Sequence, residues 1–398
     1  MPQTRRALLS MIAGGSVFAV LGLPGAVFAA APGDRRLVVV LMRGALDGLA
    51  AVAPLADPRY AEKRGMLALK AQSALPLDRH FAMHPALSPI HPYYQQGELL
   101  FVHASGNGYH TRSHFDAQDL MESGLSAKGG ISDGWLNRAL ALLQKGDRRL
   151  GLAVGGAVPL ILRGSVPVAS WEPAGMRDAS PEFVAALTQL YKGDPLLGPA
   201  LADGLKAQNF SETVLGGDMP KGGKGYGPDA FKPIAEAAGR LLAAPDGPRV
   251  AVLDIGGWDT HVNQGAENGR LAKNLAGFAE GLDALAKAMG PAWKETVVVA
   301  VTEFGRTVAV NGTNGTDHGT ASVLFVMGGA VKGGRIAGDW PGLDRLEENR
   351  DLRVATDSRR VMKGVLRDHL GLDLAALDRK VFPETPDLKP MDGLVRAG

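Results

Sequence analysis

A chain of 398 residues is long enough for one large domain or two ordinary ones, with ample apolar content for a core. Lys plus Arg number 43 against 41 for Asp plus Glu, and no basic stripe carries interleaved aromatics, so nucleic acid is not an expected partner. Cysteine is absent, which removes disulfides and thiolate metal sites and leaves His and carboxylate as the metal-binding side chains.

The chain opens with "TRRALL", in which Arg5 and Arg6 precede an uncharged stretch from Ala7 to Gly33 that closes in the small residues of "AVFAAAPGD". That layout predicts a twin-arginine-type signal peptide over residues 1–30, cleaved near Ala29 or Ala30, and hence a periplasmic or otherwise exported protein. Gly14, Gly15, Gly22, Pro24 and Gly25 speak against a retained spanning helix, so no stable membrane span is expected after signal removal. The remainder, 34–398, is expected to form a single α/β domain.

Within it, "LVVVLM" (Leu37 to Met42) is a short β-branched apolar run that reads as a buried strand. "LLFVHASG" (Leu99 to Gly106), "VAVLDIGGWDTH" (Val250 to His261), "TVVVAVTEFGRT" (Thr296 to Thr307) and "SVLFVMGG" (Ser322 to Gly329) repeat the design. Between them lie helical patterns: Ala86 to Gln96, His114 to Ser123, and a face of Leu271, Leu275, Phe278, Leu282, Leu285 and Met289 at four-three spacing. Ser358 to Leu370 follows, with Asp357 as cap and Gly371 as stop. Buried strands alternating with amphipathic helices predict a doubly wound, mostly parallel sheet with helices on both faces. Such sheets gather ligands at the carboxyl ends of their strands. The section around 164–233 breaks the rhythm and reads as loop-rich and variable. Its "GDMPKGGKGYGP" (Gly217 to Pro228) fits no phosphate-binding loop and is expected to be a connection or lid.

The strand-end loops carry the candidate chemistry. Asp47 follows the first strand. His110, Thr111, Ser113, His114 and Asp116 follow the second, and Asp254, Asp259 and His261 the third. Glu303 and Arg306 follow the fourth, and Asp317 and His318 precede the fifth. Carboxylates and imidazoles without thiols suit a divalent metal, a hydroxyl near it becomes a better nucleophile, and an arginine can hold an anion. Taken singly, each has a plainer use. A strand-end Asp also serves as a helix cap, Asp259 or Thr260 could start a helix, and His84, His91 and His103 stand alone as structural or surface residues. Ser113, His114 and Asp116 could also form a metal-free triad, but no nucleophile elbow is present and neighbours at a helix start seldom face one another. Convergence on one edge is what singles the set out.

The blocks "LMRGALDGLAAVAPLADPRY", "HPALSPIHPYYQQGELLFVHASG", "TRSHFDAQDLMESG", "DIGGWDTH", "TEFGRT" and "GTDHGTAS" resemble the bacterial family known as domain of unknown function 1501. That family is placed in the alkaline phosphatase superfamily, with sulfatases and cofactor-independent phosphoglycerate mutases. The resemblance implies an alkaline phosphatase-like α/β fold with one or two zinc, manganese or calcium ions per chain. It also implies hydrolysis of a small anionic phosphate or sulfate ester through a Ser or Thr nucleophile. On it, Asp47 looks like a metal-bridging aspartate, and Ser113, with Thr111 as rival, lies at the nucleophile position. Asp47, His114, Asp254, Asp259, His261, Glu303, Asp317 and His318 are the candidate metal ligands, with Arg306 or Arg112 as anion clamp. Two departures stand out: Trp258 occupies a position where the superfamily has His, and Glu303–Phe304 stands where it has Asp-His. His318 then reads either as a ligand of the first metal with Asp317 orienting it, or as half of a displaced second-metal pair. The departures also admit a degenerate, non-catalytic binding protein for an envelope carbohydrate.

Overall fold

The computed structural model describes residues 34–127, 132–143, 150–155, 157–173, 179–216 and 227–396. The expected signal peptide and most of the Gly217–Pro228 loop lie outside these residues. The central sheet is built from β1 (Arg36–Arg43), β2 (Leu99–Gly106), β3 (Gly151–Val154), β4 (Ala169–Trp171), β5 (Val250–Gly256), β6 (Thr296–Val301), β7 (Ser322–Met327), β8 (Arg335–Ala337) and β9 (Thr356–Asp357). Its spatial order is β8-β2-β7-β6-β1-β5-β3-β4, with β9 also pairing β2. β1 lies between β5 and β6 and is parallel to both, while β7 runs antiparallel to β6 and to β2. The architecture is therefore α/β with a mostly parallel sheet.

Both faces of that sheet are covered. Along β1, Val38, Val40 and Met42 enter one core, and Leu37, Val39 and Leu41 enter the other, the period-two alternation of a strand buried on both sides. Each such side chain contributes roughly 1.5–3 kcal/mol of transfer free energy. The first core is closed by helices at Pro228–Ala243 and Arg270–Met289, whose Leu275, Phe278, Leu282 and Leu285 form the face read from spacing. The second is closed by helices at Trp135–Leu143 and Ser358–Asp368. Asp357 caps the latter by accepting from the Arg359 N–H, and Gly371, at φ +71°, ends its run.

Two expectations change. Over Ala86 to Gln96 the chain forms a 3₁₀ turn, Pro85–Ile90, followed by a short α-helix, His91–Gln95, because Pro89 and Pro92 each lack the N–H that one continuous helix needs. Among its described residues, the section 164–233 holds β4, the start of the helix Pro228–Ala243 and two further helices, Pro181–Tyr191 and Leu197–Leu215, the first started by Ser180 accepting from the Phe183 N–H with Pro181 next in line. Among the described residues, no helix is long and apolar enough to cross a membrane.

Candidate metal centre

The carboxyl ends of β1, β2, β5 and β6 share one edge of the sheet. Because β7 runs the other way, its first residue lies at that same edge, so Asp317 and His318 enter there too. The segment after β6 pairs with the segment before β7. Thr307 N–H donates to the Asp317 carbonyl at 2.8 Å, Gly319 to Gly305 at 2.8 Å, and Gly305 to Thr320 at 2.9 Å. Gly319 allows this approach, since a Cβ there would sit 2.5 Å from the Arg306 carbonyl. Gly44, at φ +115°, is needed for a similar reason: its Cβ would lie 2.7 Å from the Asp259 backbone nitrogen.

At this edge three imidazoles meet. His318 Nε2 lies 3.0 Å from His114 Nε2 and 2.9 Å from His261 Nε2. The Asp259 carboxylate closes the group, 3.3 Å from His318 Nε2, 3.0 Å from His261 Nε2 and 3.5 Å from His114 Nε2. Donor atoms of His114, Asp259 and His318 all fall within 4.8 Å of one another. Phe304 is buried beneath, its ring 5.0 Å from that of His114 and 5.2 Å from that of His318.

Each histidine is fixed from behind through Nδ1. His114 donates to Glu303 at 2.8 Å, His261 to Asp317 at 2.9 Å, and His318 to the Arg112 carbonyl at 2.9 Å. Arg112 adopts φ +60°, a left-handed conformation uncommon for a non-glycine residue, in the turn that presents this carbonyl. A carbonyl and two ionised carboxylates can only accept, so all three Nδ1 atoms carry the proton. Burial opposes ionisation of Glu303, but hydrogen bonds from His114, Gln118 and the Gly44 N–H hold its carboxyl below its ordinary value. Hydrogen bonds from Asn311 and then His261 lower that of Asp317.

With Nδ1 protonated, each imidazole in its neutral form turns an Nε2 lone pair toward the others around a carboxylate. Burial works against the Asp259 charge too, yet His114, His318 and Arg306 keep it well below the usual carboxylate range. In the chain's own field His114 is raised to about 9 by Asp259 and then Glu303. Neutral imidazoles cannot face each other this closely without a shared proton or a cation between them. Inward nitrogens with outward carboxylate or carbonyl partners form the donor pattern of a divalent metal centre, so these residues fit such an ion.

The other expected residues go elsewhere. Where a bridging aspartate was expected, Asp47 is buried against Arg64 at 2.5 Å and accepts from Gln264 at 2.6 Å, with its second oxygen capping Ala50. Asp254 pairs with Arg43 at 2.7 Å. Neither expected anion clamp has a free guanidinium. Arg306 is held by Asp259, the Thr316 hydroxyl and the Thr316 carbonyl, while Arg112 binds Asp351 at 2.7 Å and Glu348 at 2.6 Å. Trp258 is fully buried and donates to the Ile255 carbonyl, a core role. Ser113 stands at the N-cap of the helix His114–Ser123 yet makes no capping bond, and Asp116 accepts from Tyr109. Sequence reading passed over Gln118, which donates to Glu303 at 3.0 Å. Its position four residues after His114, on the same helical face, was the available signal.

These features define an α/β protein with a histidine-carboxylate cluster at the strand ends. The chain belongs to the family described as Protein of unknown function (DUF1501), which matches residues 127–376. No curated protein matches the sequence. Among solved structures, the C-terminal periplasmic domain of EcEptC from Escherichia coli is 9% identical with a TM-score of 0.38, covering 91% of each chain. A putative sulfatase from Bacteroides thetaiotaomicron is 12% identical with a TM-score of 0.39, covering 86% of this chain and 72% of that one. An alkaline phosphatase from the Antarctic bacterium TAB5 is 11% identical with a TM-score of 0.35, covering 74% of this chain and 90% of that one.

Proposed function

We propose that this protein is an exported, metal-dependent hydrolase of a small phosphate or sulfate ester, with one divalent ion held by His114, Asp259, His261 and His318. The convergence of three Nδ1-anchored imidazoles on Asp259 carries the reading. Three nitrogens and one carboxylate favour zinc, manganese or iron over calcium, which prefers an all-oxygen shell. A divalent ion bound there would polarise an ester oxygen and acidify a nearby hydroxyl.

The chain's own residues then divide the work. Ser113 immediately precedes the ligand His114, and its hydroxyl is not engaged in capping, so it is the nucleophile of choice over the exposed Thr111. The Ser113 hydroxyl gives its proton to solvent as its oxygen attacks phosphorus or sulfur, the ester oxygen leaves with the bonding pair and takes a proton from water, and a second water then attacks the enzyme ester, restoring the Ser113 hydroxyl and releasing phosphate or sulfate. Glu303, Asp317 and the Arg112 carbonyl orient the histidines throughout, and Arg306 orients Asp259. Asp259 and His261 are the more exposed members, side chains 42% and 39% accessible, and so mark the side from which substrate arrives. The exported location rests on Arg5, Arg6 and the uncharged stretch behind them.

The test is turnover of 4-nitrophenyl phosphate, bis(4-nitrophenyl) phosphate and 4-nitrophenyl sulfate by purified protein loaded with zinc, manganese or iron, with Ser113→Ala as control. Activity lost in Ser113→Ala supports the reading, and no turnover of any ester with any ion defeats it. A second reading, a metal-containing binding protein for an envelope carbohydrate, is favoured by one observation: Arg306 and Arg112 are both tied to carboxylates. On that reading Ser113→Ala leaves ligand binding intact.

A further inference from the structure

Beside the histidine cluster, Arg43 lies among oxygens. Its Nε contacts Asp254 Oδ1 at 2.7 Å, and one terminal nitrogen contacts Glu122 Oε1 at 2.8 Å and Gln118 Oε1 at 3.0 Å. All three oxygens belong to well-placed groups. Glu122 Oε2 accepts from the Ile161 N–H at 3.0 Å, and Asp254 sits in β5, directly beside β1. Gln118 joins the two groups, accepting from Arg43 through Oε1 and donating through Nε2 to Glu303, which holds His114. The Asp254 and Glu122 side chains are 14% and 5% exposed, so their charges need a cation close by.

We propose that Arg43 is a built-in second cation: its guanidinium fills a position whose oxygens would otherwise take a hard divalent ion, so the natural protein holds one metal where its strand-end carboxylates could hold two. The proposal deepens the metal-centre reading by setting the ion count of that edge. Two carboxylate oxygens and an amide oxygen suit magnesium or manganese, whereas the neighbouring imidazole cluster suits a softer ion. A planar guanidinium meets several oxygens at once through directed N–H bonds, and unlike a bound ion it cannot dissociate. Arg43 would thus keep this flank neutralised whatever the metal supply, and through Gln118 and Glu303 it steadies His114.

The experiment is manganese stoichiometry, by elemental analysis and by the spin count of protein-bound ion after dialysis, on four full-length proteins: wild type, Arg43→Ala, Arg43→Lys and Arg43→Ala/Asp254→Asn. Arg43→Ala is expected to bind one more manganese ion per chain than wild type and to gain more thermal stability from added manganese. Arg43→Lys keeps the wild-type count because it keeps the charge, and the double variant loses the gained ion. If Arg43→Ala folds only when manganese is supplied, while Arg43→Lys folds without it, the metal is replacing the guanidinium. An unchanged count in folded Arg43→Ala overturns the proposal, as does a gain that survives Asp254→Asn. Because the result is a difference between variants, it stands apart from the histidine site. Wild type without metal in that cluster defeats the hydrolase reading alone.

Discussion

At the ends of β6 and β7, and in the loop after β5, the carboxylates Glu303, Asp317 and Asp259 each face at least one imidazole. A short distance along the edge, Asp47 and Asp254 each face a guanidinium. The residue types on the two flanks look alike in sequence, but their chemistry differs. An imidazole held through Nδ1 offers a lone pair at Nε2 and leaves room for an ion, whereas an arginine offers only donors and neutralises the acid itself. Arg306 offsets Asp259 on the first flank but leaves Glu303 and Asp317 facing imidazoles alone, whereas Asp47 and Asp254 on the other, satisfied flank each have their own guanidinium.

The largest test of that contrast removes His318, which touches His114, His261 and Asp259 together. His318→Ala is expected to lose retained metal almost completely, read by elemental analysis of dialysed protein; undiminished metal would mean the cluster is not the binding site. Arg64→Met acts on the satisfied flank. It strands the buried Asp47 and is expected to cost about 3–5 kcal/mol in urea unfolding, with metal content unchanged. A loss of metal in that variant would erase the distinction between the flanks.

The third test uses pH. His103 and His369 are buried away from the cluster, each donating through Nε2 to a backbone carbonyl, of Val52 and Arg36, and burial pushes both down to about 4. The unfolded chain takes protons near pH 6.5 that the folded one refuses, so their contribution is complete above 6.5 and is lost as pH falls toward 4. For the fully buried His103 the loss is about 3 kcal/mol, measurable as a falling urea midpoint that His103→Gln should flatten. In chelator-treated protein His114 has the opposite sign: raised to about 9, it stabilises below pH 6.5 and that stability fades as pH rises through 9. Smallest is Glu303→Gln, which keeps the shape but no longer accepts as a carboxylate. Metal affinity should drop roughly 10–100-fold by competition with a chelator, and an unaltered affinity would show that Glu303 does not tune His114.

Much of the scaffold could be read in advance. Leu37 to Met42 reads as a buried strand and is one buried on both faces, and the spacing from Leu271 to Met289 reads as a helix with one buried face and forms it. The segments bearing His114, Asp259, His261 and His318 were each marked by polar residues beside a strand end. The roles within that set were not readable. Asp254, near the end of β5, and Asp259, in the loop after it, are five residues apart, and nothing local says that one meets Arg43 and the other imidazoles and Arg306. Arg112 and Arg306 looked like free clamps because their partners, Asp351 and Asp259, are brought in by distant chain.

By itself, then, the sequence determined the alternation of buried strand and amphipathic helix, the absence of thiol ligands, and the placing of acids and imidazoles beside strand ends. These follow from local period and composition, which each segment carries within itself. Tertiary structure decided which acid is neutralised and which is left to share a cation. Arg64 reaches Asp47 across 17 residues, Arg43 reaches Asp254 across 211, and His114 reaches His318 across 204. A charge pair or a metal donor set exists only when atoms come within about 3 Å, and only the packed sheet sets those distances.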